Sequence, residues 1–247
     1  MGIAIVTGAS SGMGKEFALQ IEKAYDIDEI WLIARRKDLL DEVAGKLERT
    51  TGVVIPMSLT SKEDMKRLKK KITQERPDIK VLVNNAGYGL IEPFIESSLD
   101  VIMDMIDLNV KVLVELTHVC ILYMHSEASI IQIGSVAGFM PGPNAAVYAA
   151  TKAFVLNFSN ALYQELKQKG IHVIAVSPGP VETMFLKVAS SGRMEPPKSA
   201  AKAEDVVRLA LSDAKKGRII SVYGFIPKVN IFLSRILSRK LLLKMLK

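Results

Sequence analysis

Tyr148 and Lys152 stand four residues apart in Tyr148-Ala149-Ala150-Thr151-Lys152. On a helix that spacing puts a phenol and an amine on one face, one turn apart. A free tyrosine titrates near ~10 and a free lysine near ~10.4. An ammonium beside the ring favours the phenolate, so the spacing predicts a tyrosine pKa that falls. Such a phenol can exchange a proton with the oxygen of an alcohol or ketone. An ordinary surface pair would do nothing, so the reading depends on what else converges. Ser135 follows the apolar run Ile130-Ile131-Gln132-Ile133-Gly134. At the end of a strand its hydroxyl would lie on the carboxyl edge of a sheet, where ligands bind in open α/β folds, and could hold the same oxygen. Asn109 falls inside a long helical pattern, where an amide is a poor fit by propensity. It reads either as a satisfied interior amide or as a water-anchoring link to Lys152.

The elements that would position these groups alternate strictly. Strands are expected at Ile3–Thr7, Glu29–Ala34, Val53–Met57, Val81–Asn84, Ser129–Gly134, His172–Ser177 and Arg218–Val222, and helices near 13–24, 37–49, 62–75, 99–125, 147–169 and 203–213. Runs such as Val81-Leu82-Val83 are continuously apolar, as in strands covered on both faces by helices. This β/α alternation predicts an α/β fold with a doubly wound parallel sheet and right-handed crossovers. The expectation is one domain over residues 1–224 and an apolar, basic extension over 225–247. Residues 178–202 hold four prolines without a period, the pattern of a lid or a disordered loop.

A glycine-rich turn separates the first strand from the first helix: Thr7-Gly8-Ala9-Ser10-Ser11-Gly12-Met13-Gly14. Gly8 permits a tight turn, Gly12 lets a phosphate approach the backbone, and Gly14 lets helix and sheet pack closely. The helix then offers free N–H groups to a pyrophosphate. A dinucleotide carrying a free ribose 2′-hydroxyl calls for a carboxylate about twenty residues on. Here the second strand ends Ile33-Ala34-Arg35-Arg36. Arg35 beside the 2′ position, with Lys15, would neutralise a 2′-phosphate, which favours NADP over NAD.

Composition narrows the classes. The chain of 247 residues is 49% hydrophobic and 24% charged, an ordinary globular balance. One cysteine, Cys120, and three scattered histidines leave no disulfide framework and no zinc cluster, and no metal is expected. The formal charge of +7 is concentrated: from Lys215 onward there are nine Lys or Arg and no Asp or Glu. Residues 1–214 are nearly neutral, so the body lacks the basic face that nucleic acid requires. The basic end could meet an anionic surface such as a lipid leaflet. No apolar run is long enough to cross a bilayer or to act as a secretory signal, and the expected compartment is the cytoplasm.

Taken together, these residues resemble the classical short-chain dehydrogenase/reductase family over roughly residues 1–222. The motifs are Thr7-Gly8-x-x-x-Gly12-x-Gly14, Asn84-Asn85-Ala86-Gly87, Asn109, Ser135, Tyr148-x-x-x-Lys152 and Pro178-Gly179, in the family's order. The resemblance implies a Rossmann fold with a seven-stranded parallel sheet and a catalytic tetrad of Asn109, Ser135, Tyr148 and Lys152. It implies cofactor contacts at Gly8, Ser10, Ser11, Gly12, Met13, Gly14, Lys15, Arg35, Arg36, Asn85, Ala86, Gly87, Tyr148, Lys152, Pro178, Gly179, Val181 and Thr183. Asn85 matches a backbone position beside the adenosine ribose. Val181 and Thr183 match positions that meet the nicotinamide carboxamide and cofactor phosphates. Arg35 and Lys15 match the NADP-preferring branch. One departure is Ser58, in the slot where the family carries an Asp for the adenine.

The reaction so implied is reversible hydride transfer between nicotinamide and a carbonyl or secondary alcohol. Tyr88, Leu90, Phe139, Met140, Met184, Phe185 and Leu186 border the site and predict an apolar pocket for a lipid-, steroid- or aromatic-like ketone. The helical pattern 99–125 carries polar residues as one line and is apolar elsewhere, which predicts one flank on the sheet and another on a partner chain; the resemblance implies that the assembly is a homodimer or homotetramer. In the extension, Lys240, Lys244 and Lys247 interrupt the apolar face of 230–239, so a break near Arg239 is expected. That segment reads as a basic surface anchor, as an element docked near the active site or a subunit interface, or as plain packing. A non-catalytic NADPH-binding regulator and a membrane-surface tethering protein are the alternatives to an enzyme.

Overall fold

In β1 (Gly2–Thr7) successive side chains go to opposite faces of the sheet, as the strand period of two requires. Ala4 and Val6 enter one apolar layer, and Ile3 and Ile5 the other. Both faces are therefore buried, and helices cover them. The computed structural model describes residues 2–245. The remaining strands are β2 (Glu29–Ala34), β3 (Thr51–Pro56), β4 (Asp78–Asn84), β5 (Ser129–Ile133), β6 (His172–Val176) and β7 (Ile220–Ser221). All seven run parallel in the order β3-β2-β1-β4-β5-β6-β7. The order reverses between β1 and β4, and their carboxyl ends open a crevice there.

On one face lie α1 (Gly12–Ala24), α2 (Lys37–Ala44) and α8 (Ala203–Lys215), supplying Phe17, Ile21, Leu40, Val207 and Ala210 to the first layer. On the other lie α3 (Lys62–Glu75), α4 (Leu99–Ile106), α5 (Leu113–Ile121) and α6 (Ala146–Leu166). The second layer includes Ile72, Leu116, Leu162 and the free thiol of Cys120, which is fully buried. A short α7 (Phe185–Ala189) lies after β6, and α9 (Phe225–Ile236) and α10 (Arg239–Met245) close the chain.

Several boundaries move from the expected positions, each for a local reason. The helix expected over 37–49 stops at Ala44, where Gly45 caps it and bonds back to Asp41. The helix expected over 99–125 is not one α-helix: residues Asp107–Val112 form a π-helical turn between α4 and α5. β3 begins at Thr51 and ends at Pro56, beyond which Met57 N–H still bonds the Ala34 carbonyl. β7 keeps only two residues of the five expected. The extension has its break at Leu237-Ser238, ahead of α10. Lys247, the last cation of the predicted pattern, lies outside the described residues.

Candidate active site

Thr7 closes β1 and braces the turn that follows. Its hydroxyl accepts from the backbone N–H of Asn85 and of Ala86, both at 3.0 Å, and donates to the Val83 carbonyl at 3.2 Å. The Asn85 carboxamide donates to the carbonyls of Thr7 at 3.0 Å and Gly8 at 3.3 Å. Asn85 thus acts with its side chain, fixing the glycine turn to the end of β4. Gly8 and Gly12 hold φ of +66° and +54°, the left-handed region that favours glycine. A Cβ on Gly14 would collide with the Gly8 carbonyl, so helix and turn pack with no room for a side chain.

The first turn of α1 faces this cradle. Ser11, its N-cap, makes no side-chain capping bond, and the N–H groups of Gly12, Met13 and Gly14 have no intrahelical partner. Lys15 is the first to bond back, to the Ser11 carbonyl at 3.3 Å. This tight glycine cradle and its uncapped N–H groups fit a dinucleotide pyrophosphate. Arg36 reaches over the turn and donates to the hydroxyls of Ser10 and Ser11, both at 3.2 Å. Arg35 instead lies within electrostatic reach of the Tyr88 hydroxyl. The Ser58 backbone N–H donates at 2.8 Å to Asp64, so α3 returns a carboxylate to the end of β3.

Ser135 follows β5 and opens a tight turn over Val136–Phe139, its hydroxyl accepting from the Ala137 N–H at 3.1 Å. It faces the Tyr148 hydroxyl closely enough to favour the phenolate. Lys152, one turn along α6, is buried, with Nζ 5.8 Å from the Tyr148 ring centroid and donating to the Ile133 carbonyl at 2.7 Å. The serine, the phenol and the amine therefore converge at the carboxyl edge of the sheet.

The electrostatics correct the predicted direction. Burial pushes Tyr148 up to about 12, and the Ser135 hydroxyl offsets only part of this. Burial also pushes Lys152 down to about 8. Desolvation disfavours both charged forms, and at Tyr148 it outweighs the pull of the Ser135 hydroxyl. Tyr148 is held as the neutral acid.

Asn109 sits in the π-helical turn. Its Oδ1 accepts from the Tyr88 N–H at 3.1 Å, and Nδ2 donates to the Tyr88 carbonyl at 2.9 Å and to the Thr151 hydroxyl at 3.1 Å. The Thr151 hydroxyl donates in turn to the Tyr148 carbonyl at 2.7 Å. Both Nδ2 hydrogens are occupied, as the reading of a satisfied interior amide expects, while Oδ1 keeps one acceptor position on the side of Lys152. A Cβ on Gly87 would lie 2.7 Å from Asn109 Oδ1 and 3.8 Å from Lys152 Nζ, and only glycine fits between them.

The segment 178–202 folds over the site. The Pro178 carbonyl accepts from the Val136 N–H at 3.1 Å, Val181 pairs with Ala201, and a Cβ on Gly12 would lie 3.1 Å from the Thr183 methyl. A Cβ on Gly179 would meet Pro227 of α9 at 2.9 Å. The Phe185 ring packs on Tyr148 with centroids 5.6 Å apart. At the end of α7 the Ala189 carbonyl accepts from the Ile91 N–H at 2.7 Å, and beyond it Arg193 donates to the Ile91 carbonyl at 2.9 Å. A narrow crevice beside Tyr148 is lined by Leu90, Phe94, Ile102, Met105 and Val147 together with the polar Glu92, Ser97 and Asn144. Of the expected bordering residues, Leu90 lines this crevice and Phe185 packs on Tyr148, while Met184 is mostly exposed and the Tyr88 hydroxyl donates to the Val101 carbonyl and to Asp104.

Sequence reasoning overlooked the bracing by Thr7 and Thr151 and the lid latch at Arg193. Thr151 had a signal, being the hydroxyl residue between Tyr148 and Lys152 on the same helix. Arg193, in an aperiodic segment, had none. Among the described residues no group of three or more His, Cys, Asp or Glu is placed to hold a metal ion, and no helix is long and apolar enough to cross a membrane.

This arrangement has counterparts. The sequence profile of the short chain dehydrogenase family matches residues 2–193. An uncharacterized oxidoreductase of Staphylococcus aureus (strain N315) is 32% identical over 183 residues, 73% of this chain and 78% of that protein. A very-long-chain 3-oxoacyl-CoA reductase of Anas platyrhynchos is 38% identical over 196 residues, 75% of this chain and 62% of that protein. Among solved structures, a short-chain dehydrogenase from Sphingobium yanoikuyae in complex with NADPH superposes with a TM-score of 0.80 at 26% identity, covering 100% of this chain and 97% of that one. A bulky-bulky ketone specific alcohol dehydrogenase from Comamonas testosteroni gives a TM-score of 0.77 at 25% identity, covering 97% and 96%. The profile match spans most of the chain, from the glycine turn through Tyr148 and Lys152 into the lid, and on it the chain belongs to the short chain dehydrogenase family, a family of oxidoreductases.

Proposed function

We propose that the protein is an NADP-dependent oxidoreductase that interconverts an apolar ketone and its secondary alcohol. The observation that carries this reading is the convergence of the Ser135 and Tyr148 hydroxyls over the buried Lys152, beside a glycine cradle fitted to a pyrophosphate. When bound, the dinucleotide supplies or takes up a hydride at its nicotinamide ring. Ser135 holds the substrate oxygen. Tyr148, neutral at physiological pH, donates its proton to that oxygen during reduction and withdraws it during oxidation. Lys152, whose depressed pKa lets it lose a proton near neutrality, returns the proton to Tyr148. Asn109 and Thr151 hold the backbone on either side in register.

Arg36 on the glycine turn, together with Lys15 and Arg35, supports a 2′-phosphate and so NADP. The NADPH-bound relative supports the same choice. The apolar side chains of Leu90, Phe94 and Val147 beside Tyr148, with the resemblance to a bulky-bulky ketone specific alcohol dehydrogenase, support a lipid-, steroid- or aromatic-like substrate. A homo-oligomer in the cytoplasm completes the reading. A cofactor-sensing regulator would have no use for a proton donor at Tyr148, and a pure tether none for the cradle.

The test follows NADPH absorbance over a panel of apolar ketones. Tyr148→Phe is expected to lower kcat by roughly 10²–10⁴-fold, the worth of a positioned acid, with NADPH affinity unchanged by fluorescence titration. Turnover near the wild-type level in that variant refutes the role. Arg36→Ala is expected to lower kcat/KM with NADPH by about tenfold, the worth of one charge-assisted contact, and to leave NADH unaffected. An equal loss with both cofactors refutes the 2′-phosphate assignment.

A further inference from the structure

The helix α9 faces the wrong way for a packing element. Phe225, Val229, Phe232, Leu233 and Ile236 recur at intervals of three and four and so share one face. That face is turned outward: Phe225 is 81%, Phe232 62% and Ile236 60% exposed. The side against the protein is Pro227 and Ile231, with Pro227 on Gly179 at the root of the lid and Ile231 buried. Beyond the break, α10 repeats the pattern, with Leu242 buried and Leu241 and Leu243 nearly half exposed. Apolar side chains exposed in this density mark an interaction surface.

The charge around the face selects its occupant. Lys228, Arg235, Arg239, Lys240 and Lys244 lie on these two helices, and no Asp or Glu occurs after Asp213. A second copy meeting this patch across a two-fold axis would bring the same cations against themselves. A partner that is apolar in its interior and anionic at its surface satisfies both features. The exposed apolar residues of α4 differ, because Asp100 and Asp104 accompany Leu99, Val101 and Met103 there.

We propose that the outward face of α9 and α10 seats the protein on an anionic lipid surface, with Phe225, Phe232 and Ile236 entering the acyl boundary and the five cations meeting headgroups. Pro227 joins this face to the lid root, so docking brings the entrance of the candidate site close to the lipid, where an apolar ketone would partition. The inference rests on α9 and α10 alone and stands or falls apart from the catalytic reading.

Co-sedimentation of the full chain with vesicles tests it, using phosphatidylcholine with and without phosphatidylglycerol. The wild type is expected to pellet with the anionic vesicles at low salt, to be released by high salt, and to stay in solution with phosphatidylcholine alone. Lys228→Gln and Arg235→Gln should each lower the partition coefficient about fivefold. Phe232→Ser should lower it about tenfold or more. All three positions are exposed or at the helix surface, so melting temperatures should be unchanged and loss of fold is monitored directly. A wild type that stays in solution with anionic vesicles overturns the proposal. So does binding indifferent to Phe232→Ser, which would indicate a purely electrostatic acidic partner, and so does an oligomer that Phe232→Ser dissociates, which would assign the face to a second copy.

Discussion

Lys152 buries its amine with the Ile133 carbonyl as hydrogen-bond partner, and this has a stability cost that pH reveals. Its folded pKa, about 8, lies below the ordinary 10.5. Above about 10.5 the amine is neutral in both folded and unfolded chains, so nothing is lost. As pH falls toward 8 the unfolded chain takes up a proton that the folded one resists, and stability falls; below 8 the loss is complete and constant. Lys152→Met should therefore be more stable than wild type at pH 7, by an amount on the order of 3 kcal/mol, what a fall from 10.5 to about 8 is worth. The gain should vanish as pH rises through 8 to 10. Chemical denaturation at several pH values measures it, and a gain independent of pH would remove burial as the cause. Spacing put Tyr148 and Lys152 on one helix face, and Ser135 at a strand end together with the other motifs made that pair a candidate site. Spacing says nothing of burial, which is why the direction of the tyrosine shift was not legible. Thr151 and the Tyr88 backbone escaped notice because their partner, Asn109, is distant in sequence and reaches them only through the tertiary fold.

At the scale of elements, the lid is held by few contacts. Phe185 covers Tyr148, and Arg193 ties the far end to Ile91 and approaches Glu92 at 3.8 Å. Arg193→Met keeps the side chain's apolar stem and removes its donors. It is expected to raise KM for the ketone about three- to tenfold with little change in kcat, since one hydrogen bond to a charged donor is worth about 1 kcal/mol or somewhat more. Faster proteolysis within residues 183–198 should accompany it. An unchanged KM together with unchanged proteolysis would show that the latch does not govern access. The strands were legible because their apolar runs are continuous, as burial on both faces demands. The π-helical turn at Asp107–Val112 was not, because an extra residue per turn hardly disturbs a hydrophobic pattern while it redirects Asn109. The lid's course was also hidden, since its bonds run to Ile91 and Gly12 rather than to near neighbours.

At the scale of the molecule, the alternation of strands and helices sufficed for the parallel doubly wound sheet, and charge counting located the basic end. What composition could not show is which face of the extension turns outward, because that depends on Gly179 and the turn after Ser135 accepting α9 on its Pro227 and Ile231 side. The oligomer proposed for this fold would use the other apolar surface, where Leu99 and Met103 of α4 and Phe154 of α6 are exposed. Met103→Glu with Phe154→Glu is expected to reduce the particle to 27.1 kDa in analytical ultracentrifugation, because two buried carboxylates per copy would face each other without partners. A wild type already sedimenting at that mass would remove the oligomer from the proposal. The molecule also contains one sulfhydryl, Cys120, wedged between α5 and the sheet and held protonated by its surroundings. Thiolate chemistry needs both ionisation and access, and neither exists until α5 leaves the sheet. Alkylation of this chain is therefore gated by cooperative opening rather than by surface reactivity, which makes the natural protein, unlabelled and unmutated, a single-site clock of its own native-state fluctuations.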